Sequence, residues 1–163
     1  MTDLPEPDMP PPASPLFLRE DEVRRGIELL YFGYTGLIAE ADQRLAETPF
    51  GRAHHRALYF IARRPGLTVG DLIGLLSITK QSLSRVLKDL ESAGLLTIRP
   101  GERDRRQRLL TLTDQGLRFE HELFEKLRQR MASAYAESGQ EAVSGFWTVL
   151  AALLPAERRK QVI

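Results

Sequence analysis

The chain has 163 residues, of which 42% are hydrophobic and 28% charged, enough for one domain with a real core or for a small domain joined to a dimerisation element. It contains no cysteine, which excludes disulfides, thiolate metal sites and a thiol redox switch. The formal net charge is +1, so any case for a polyanionic partner has to rest on a local concentration of basic residues.

No apolar run approaches the ~20 residues that cross a bilayer. The start, Met1-Thr2-Asp3-Leu4-Pro5, lacks a basic region followed by an apolar one, so no secretory leader is read there and a cytoplasmic protein without a membrane partner is expected. Residues 1–15 hold six of the ten prolines, and residues 1–18 read as a disordered tail that buries too little apolar surface to offset ordering.

From Glu20 to about Glu47 the pattern is helical. Ile27, Leu30, Tyr31, Tyr34, Leu37, Ile38, Ala41 and Leu45 recur at spacings of three and four. A helix of that length and amphipathicity calls for a partner helix. Pro49-Phe50-Gly51 breaks it, and Ala53–Arg64 forms a second helix with Ala57, Phe60 and Ile61 on one face, ended by Pro65-Gly66.

Thr68 then caps a short helix, Val69–Leu76, with Asp71 in the first turn where the helix dipole favours an anion. Thr79 caps the next helix, which runs to about Ala93, and Gly94 is its C-terminal stop. Two helices joined so tightly make a helix-turn-helix. The period changes after Gly94: Leu96 and Ile98 alternate with Thr97 and Arg99, and Leu110 and Leu112 with Thr111 and Thr113, so two short strands flank a polar loop as a hairpin wing.

Thr113 caps a long helix, Asp114 to about Tyr135, with Leu117, Phe124, Leu127 and Met131 as much of its apolar face. After a break near Ser138-Gly139 a last helix, Glu141–Leu154, carries Val143, Phe146, Trp147, Leu150, Leu153 and Leu154, and Pro155 and the basic Arg158-Arg159-Lys160 follow. The predicted fold is mainly α. A winged helix-turn-helix with a two-stranded wing spans residues 49–113, and residues 19–48 and 114–155 supply the N- and C-terminal helices of a dimerisation region.

Placing the residues of Thr79–Ala93 every 100° puts Leu83, Val86, Leu87 and Leu90 in one sector, the core face. Gln81, Arg85 and Lys88 occupy the opposite sector, Ser82 and Ser84 flank it, and Lys80 falls nearer the buried edge. This face offers an amide, hydroxyls and cations, with no acid among them. Arginine bonds guanine O6 and N7, glutamine pairs with adenine, and serine bonds a base or a phosphate. From Arg99 to Arg108 five arginines stand against Glu102 and Asp104, a net +3 in ten residues of a chain whose total is +1. Arginine on a hairpin tip suits a narrow minor groove, where the negative potential deepens.

The stretch Thr68-Val-Gly-Asp-Leu, Thr79-Lys-Gln-Ser-Leu-Ser-Arg-Val-Leu-Lys-Asp-Leu-Glu-Ser-Ala-Gly-Leu-Leu, Arg103-Asp-Arg-Arg and Leu110-Thr-Leu-Thr-Asp-Gln-Gly resembles the MarR family of bacterial transcription regulators. The resemblance covers about residues 20–155. It implies a homodimer with intertwined first and last helices that binds double-stranded DNA at a palindromic site, as a repressor acting near its own promoter. By position, Thr79, Lys80, Gln81, Ser82, Ser84, Arg85 and Lys88 fall on the family's recognition helix. Asp104 and Arg106 match its wing aspartate and minor-groove arginine, and Arg103 and Arg105 join them on the wing. Gly101 stands where many members carry Asp, a departure that bears on the wing salt-bridge arrangement. The resemblance also implies a small phenolic or lipophilic effector, bound between the first two helices and the helix-turn-helix, with Tyr31, Tyr34, His54 and His55 as the polar and aromatic candidates.

An enzyme is not expected. The chain has no phosphate-cradling glycine motif, no Gly-x-Ser-x-Gly and no His-Glu-x-x-His. His54 and His55 are adjacent and point about 100° apart on a helix, a poor chelating pair, so no metal and no cofactor are expected. The alternative reading, a helical homodimeric interaction or ligand-sensing protein that does not bind DNA, leaves the basic helix face unexplained.

Overall fold

A computed structural model describes residues 13–102 and 104–162. A 3-10 turn at Pro15–Leu18, capped by the Ser14 hydroxyl, precedes α1 (Glu20–Ala46), α2 (Arg52–Arg63), α3 (Val69–Leu76), α4 (Lys80–Ser92), β1 (Leu96–Pro100), β2 (Arg108–Leu112), α5 (Asp114–Leu153) and α6 (Ala156–Val162). The expected disordered tail lies outside the described residues up to residue 12. Two compact units divide the chain, one up to Gly36 and one from Leu37. In the first, the described apolar side chains are exposed, among them Phe17, Ile27, Leu30, Tyr31, Phe32 and Tyr34.

The second unit holds the core. Ala41 and Leu45 from the end of α1 meet Ala57, Leu58 and Ile61 of α2, Leu72 and Leu76 of α3, Leu83, Val86, Leu87 and Leu90 of α4, and Leu123 of α5. Leu96 of β1 and Leu110 and Leu112 of β2 close it from the sheet side. Each fully buried leucine contributes about 1.5–3 kcal/mol relative to an exposed one.

The caps expected from the sequence are in place. The Thr68 hydroxyl accepts from Asp71 N–H at 3.1 Å and donates to the Asp71 carboxylate at 2.6 Å, which also accepts from Thr68 N–H at 3.0 Å. These bonds hold the Asp71 carboxyl below its ordinary range, the Thr68 hydroxyl contributing most. Gly94, at φ 72°, ends α4, and Leu95 N–H bonds Leu90 O at 2.9 Å across it. Thr113 caps α5 by accepting from Gly116 N–H at 3.0 Å, and its own hydroxyl donates to Gly94 O at 2.7 Å, which ties the start of α5 to the end of α4.

Three features differ from the sequence reading. The loop before α3 joins the wing sheet: Leu110 N–H donates to Leu67 O at 2.9 Å, and Thr68 bridges Leu109. On α5 the buried stripe runs through Gly116, Phe119, Leu123 and Leu127, whereas Leu117 is 46% exposed. The helix is turned so that Gly116 seats against the Leu95 carbonyl oxygen, which a Cβ there would overlap, and Leu117 lies one residue, about 100°, off that stripe. Finally, the basic segment after Pro155 forms α6. The break expected near Ser138-Gly139 falls at Gly139, whose φ of 80° interrupts the helical path of α5.

Candidate nucleic-acid interface

Helix α4 is fixed at both ends and along one side. Thr79 caps its start by accepting from Ser82 N–H at 3.1 Å, and the Thr79 hydroxyl donates to the Ser82 hydroxyl at 2.9 Å. Thr79 and Ser82, both read as contact residues, thus hold one another in the first turn. Leu83, Val86, Leu87 and Leu90 are buried, which leaves Lys80, Gln81, Ser84, Arg85 and Lys88 on the exposed side. These five line one surface depression of about 500 Å³. Lys80 belongs to this open face rather than the buried edge, because the first residue of a helix leans toward the uncovered N-terminal turn. No described acid pairs with Lys80, Arg85 or Lys88.

The acid on the flank of α4 is taken up elsewhere. Asp89 Oδ2 lies 3.1 Å from His54 Nε2, and His54 Nδ1 accepts from Gly51 N–H at 3.1 Å. An accepting Nδ1 places the proton of a neutral ring on Nε2, which donates to Asp89. His54 therefore straps the start of α2 to α4 and removes Asp89 from the cationic face. His55, next in sequence, is 8% exposed. Burial pushes its pKa down, the Asp42 charge acts against that, and the Arg56 charge adds to it. Tyr31 and Tyr34 lie in the first unit and are 63% and 50% exposed, Tyr31 meeting Phe32 edge to face at 5.2 Å.

The wing pairs Leu96 with Leu112, Ile98 with Leu110 and Pro100 with Arg108 in an antiparallel register. At its tip Gly101 N–H donates to Gln107 O at 2.9 Å, and Gln107 N–H to Asp104 O at 3.0 Å. The Asp104 carboxylate accepts from the backbone N–H of Arg106 at 2.9 Å. It fixes the turn through the main chain and leaves the Arg106 guanidinium outside that bond. A Cβ on Gly101 would come within 2.7 Å of Asp104 O, so this turn is built around glycine at that position. Arg99, Arg105, Arg106 and Arg108 are exposed and paired with no described acid. Arg103 lies outside the described residues.

Among the described residues no cluster of three or more His, Cys, Asp or Glu side chains is placed to hold a metal, and no helix is long and apolar enough to cross a membrane.

The MarR family sequence model matches residues 49–107, from the loop before α2 into the wing tip. The HTH-type transcriptional regulator PetP of Rhodobacter capsulatus is 50% identical over 145 residues, 88% of this chain and 87% of that protein. The transcriptional activatory protein BadR of Rhodopseudomonas palustris is 37% identical over 70 residues, 43% of this chain and 38% of that protein. Among solved structures, a MarR family protein from Bacillus stearothermophilus superposes with a TM-score of 0.67 at 21% identity, over 83% of this chain and 94% of that one. Wild-type MarR from E. coli superposes at 0.59 and 20% identity, over 78% and 96%. The structural likenesses establish the winged-helix fold, and the sequence relationship establishes more: the chain belongs to the MarR family of transcriptional regulators.

Proposed function

We propose that this regulator works in the cytoplasm as a homodimer that reads a palindromic DNA site, with α4 in the major groove and the wing tip against the minor groove. One observation carries the reading. The exposed face of α4 and the wing of the same packed unit present Lys80, Arg85, Lys88, Arg105 and Arg106, none of them ion-paired with an acid among the described residues. In this reading Arg85 and Gln81 read base edges, Ser84, Lys80 and Lys88 meet bases or backbone, and Arg106 enters the minor groove with Arg103 and Arg105 beside it. Thr79 and Ser82 serve chiefly by presenting the helix N-terminus to a phosphate. Asp104 shapes the wing turn.

The apolar surface left open supports the dimer reading. Ile27, Leu30 and Tyr34 of α1, and separately Phe146, Trp147 and Leu153 of α5, are 40–65% exposed, more clustered apolar area than a lone subunit leaves in water. A second copy is the partner expected to cover them.

The test is footprinting and gel shift on the DNA upstream of the regulator's own gene across a salt series. A protected two-fold symmetric site, whose affinity falls steeply as salt rises, is the expected result. Absence of salt-sensitive protection at any site would leave the non-DNA interaction protein as the better reading. The direction of regulation is a separate measurement. Repression is the mode expected from the resemblance, BadR is named as activatory, and a reporter fused to the bound promoter decides.

An effector is the second part of the proposal. Of the candidate contacts, His54 has the clearest route to DNA binding. A small lipophilic or phenolic ligand that hydrogen-bonds its ring would compete with Asp89 and loosen the strap on α4. Calorimetry over a ligand panel, followed by operator titration, tests this; ligands that bind without changing operator affinity would overturn it.

A further inference from the structure

Two adjacent arginines on α6 reach different helix ends. Arg159 turns back on its own junction: its Nε donates to Leu154 O and its Nη2 to Ala152 O, both at 3.1 Å. Those carbonyls end α5. Arg158 reaches across to the helix-turn-helix. Its Nη2 donates to Gly74 O at 2.6 Å and to the Ser77 hydroxyl at 2.9 Å, and its Nη1 to Leu75 O at 3.1 Å. Gly74 and Leu75 lie in the last turn of α3, where carbonyls have no partner one turn further along the helix. Ser77 is the residue that turns the chain toward α4, and its φ of 52° is the one positive value among the described non-glycine residues.

The chemistry of this contact is that of a C-cap supplied from a distance. A cation at a helix C-terminus meets the negative end of the dipole, and a guanidinium satisfies several carbonyls at once with its fixed fork of donors. A cavity of about 560 Å³, lined by Leu67, Gly70, Gly74, Leu75, Glu157 and Arg158 among others, lies at this junction. The Arg158 bonds span the rim of this cavity.

We propose that α6 is a two-armed clamp that sets the pose of the DNA-reading helix, with Arg159 gripping the end of α5 and Arg158 the turn between α3 and α4. Arg158 is a positioning residue for DNA binding. It acts through Ser77 and the last turn of α3, and it contacts no DNA. The inference rests on the DNA-reading proposal above for its consequence, but not for the clamp itself.

The test uses the full chain, with R158A, R158K and R159A beside wild type, in three measurements: hydrogen exchange at Ser77 and Leu83, whose N–H groups bond Ile73 O and Thr79 O at 3.0 Å on either side of the turn, operator affinity, and the salt dependence of that affinity. R158A is expected to speed exchange at both amides and to weaken operator binding about tenfold, the scale of lost charge-assisted bonds. The slope against salt should stay unchanged, because no phosphate contact is lost. R158K, with a point charge in place of the fork, is expected to fall between the two, and it decides the matter if R158A fails to fold. R159A is expected to shift both readouts in the same direction by less. Unchanged exchange at Ser77 and Leu83 in R158A or R158K would overturn the clamp. A salt slope shallower by about one would also overturn it, by making Arg158 a phosphate contact. If wild type binds no DNA the reading of function fails, and hydrogen exchange alone still decides whether the clamp exists.

Discussion

The two halves of α1 carry the same kind of sequence and meet opposite fates. In the second half Ile38, Ala41 and Leu45 are 6%, 0% and 3% exposed; in the first, Ile27, Leu30 and Tyr34 are 63%, 46% and 50% exposed. Both sets follow spacings of three and four. Periodicity thus reports that a face is built to be covered and says nothing of what covers it. For Ala41 and Leu45 the cover is α2, α3 and α4 of the same chain. For Ile27 and Leu30 there is no cover among the described residues, and the second copy proposed above is the partner that would supply one.

The comparison breaks most visibly in the internally covered half. Leu83 is 0% exposed on the core face of α4. Leu83→Ala should cost about 2–5 kcal/mol through lost burial and the cavity left behind, read by chemical denaturation at a fixed protein concentration. Because the same helix carries the exposed cations, operator binding should fall with it. Stability within 1 kcal/mol of wild type would mean that α4 is not seated as described.

The externally covered half should fail differently. Leu30→Asp places a charge on a face with no cover among the described residues. The expected loss is in association, on the order of 2 kcal/mol or more if Leu30 lies near the centre of the interface. Sedimentation equilibrium should show monomer where wild type shows dimer, while far-UV circular dichroism keeps its helical signal. A variant that dimerises as wild type does would remove the second copy from this face.

Between these lies a change that touches neither cover. Arg85→Ala should weaken specific DNA binding by about 1–3 kcal/mol if the guanidinium reads a guanine, with thermal stability unchanged because Arg85 is exposed and unpaired. Equal loss on specific and non-specific DNA would reassign it to the backbone.

Most of the fold was legible because its boundaries are chemical. Thr68, Thr79 and Thr113 cap the helices that follow them, Gly94 stops α4, and the change of period after it marks the wing. The reading failed where structure is set by partners distant in sequence. On α5 Leu127 packs against the core as expected, but Leu117 only looks like a core position, and the approach of Gly116 to the Leu95 carbonyl shows why it is not one. Helix α6 was missed because a short basic segment has no apolar face to announce it, and its contacts with α3 lie 81 to 84 residues away. At the interface the exposed face of α4 was read from angles alone. The fixing of Thr79 by Ser82 and of Asp89 by His54 required coordinates, since a hydroxyl or an imidazole on a helix carries no sign of whether its partner is DNA or its own chain.

The smallest effect separates the interior of the second unit from its surface by titration. His55 is buried and its pKa is held below the ordinary value of 6.5. The unfolded chain then binds more protons than the folded one as pH drops through 6.5, so this residue's contribution to stability is intact above that pH and is lost as pH falls through the folded pKa. Four carboxyl groups act lower on the scale: Glu122 and Glu125, whose pKa values are lowered by their hydrogen bonds with Arg44 and Arg128, act in the same sense as Asp71, and Glu120 acts in the opposite one. Asp71, held below 3.8 by its bonds with Thr68, withdraws its contribution only below that value. Glu120, pushed above 4.5 by burial against the smaller effect of His121, adds stability as pH falls through its folded pKa. Denaturation between pH 7 and 5.5 is therefore the window that reports chiefly on histidine. His55→Gln, which keeps a polar side chain without the titration, should flatten the loss of stability that wild type shows there. Parallel curves for the two proteins across that window would mean that His55 is as solvated in the fold as in the unfolded chain, which would overturn its burial as the cause of the acid sensitivity.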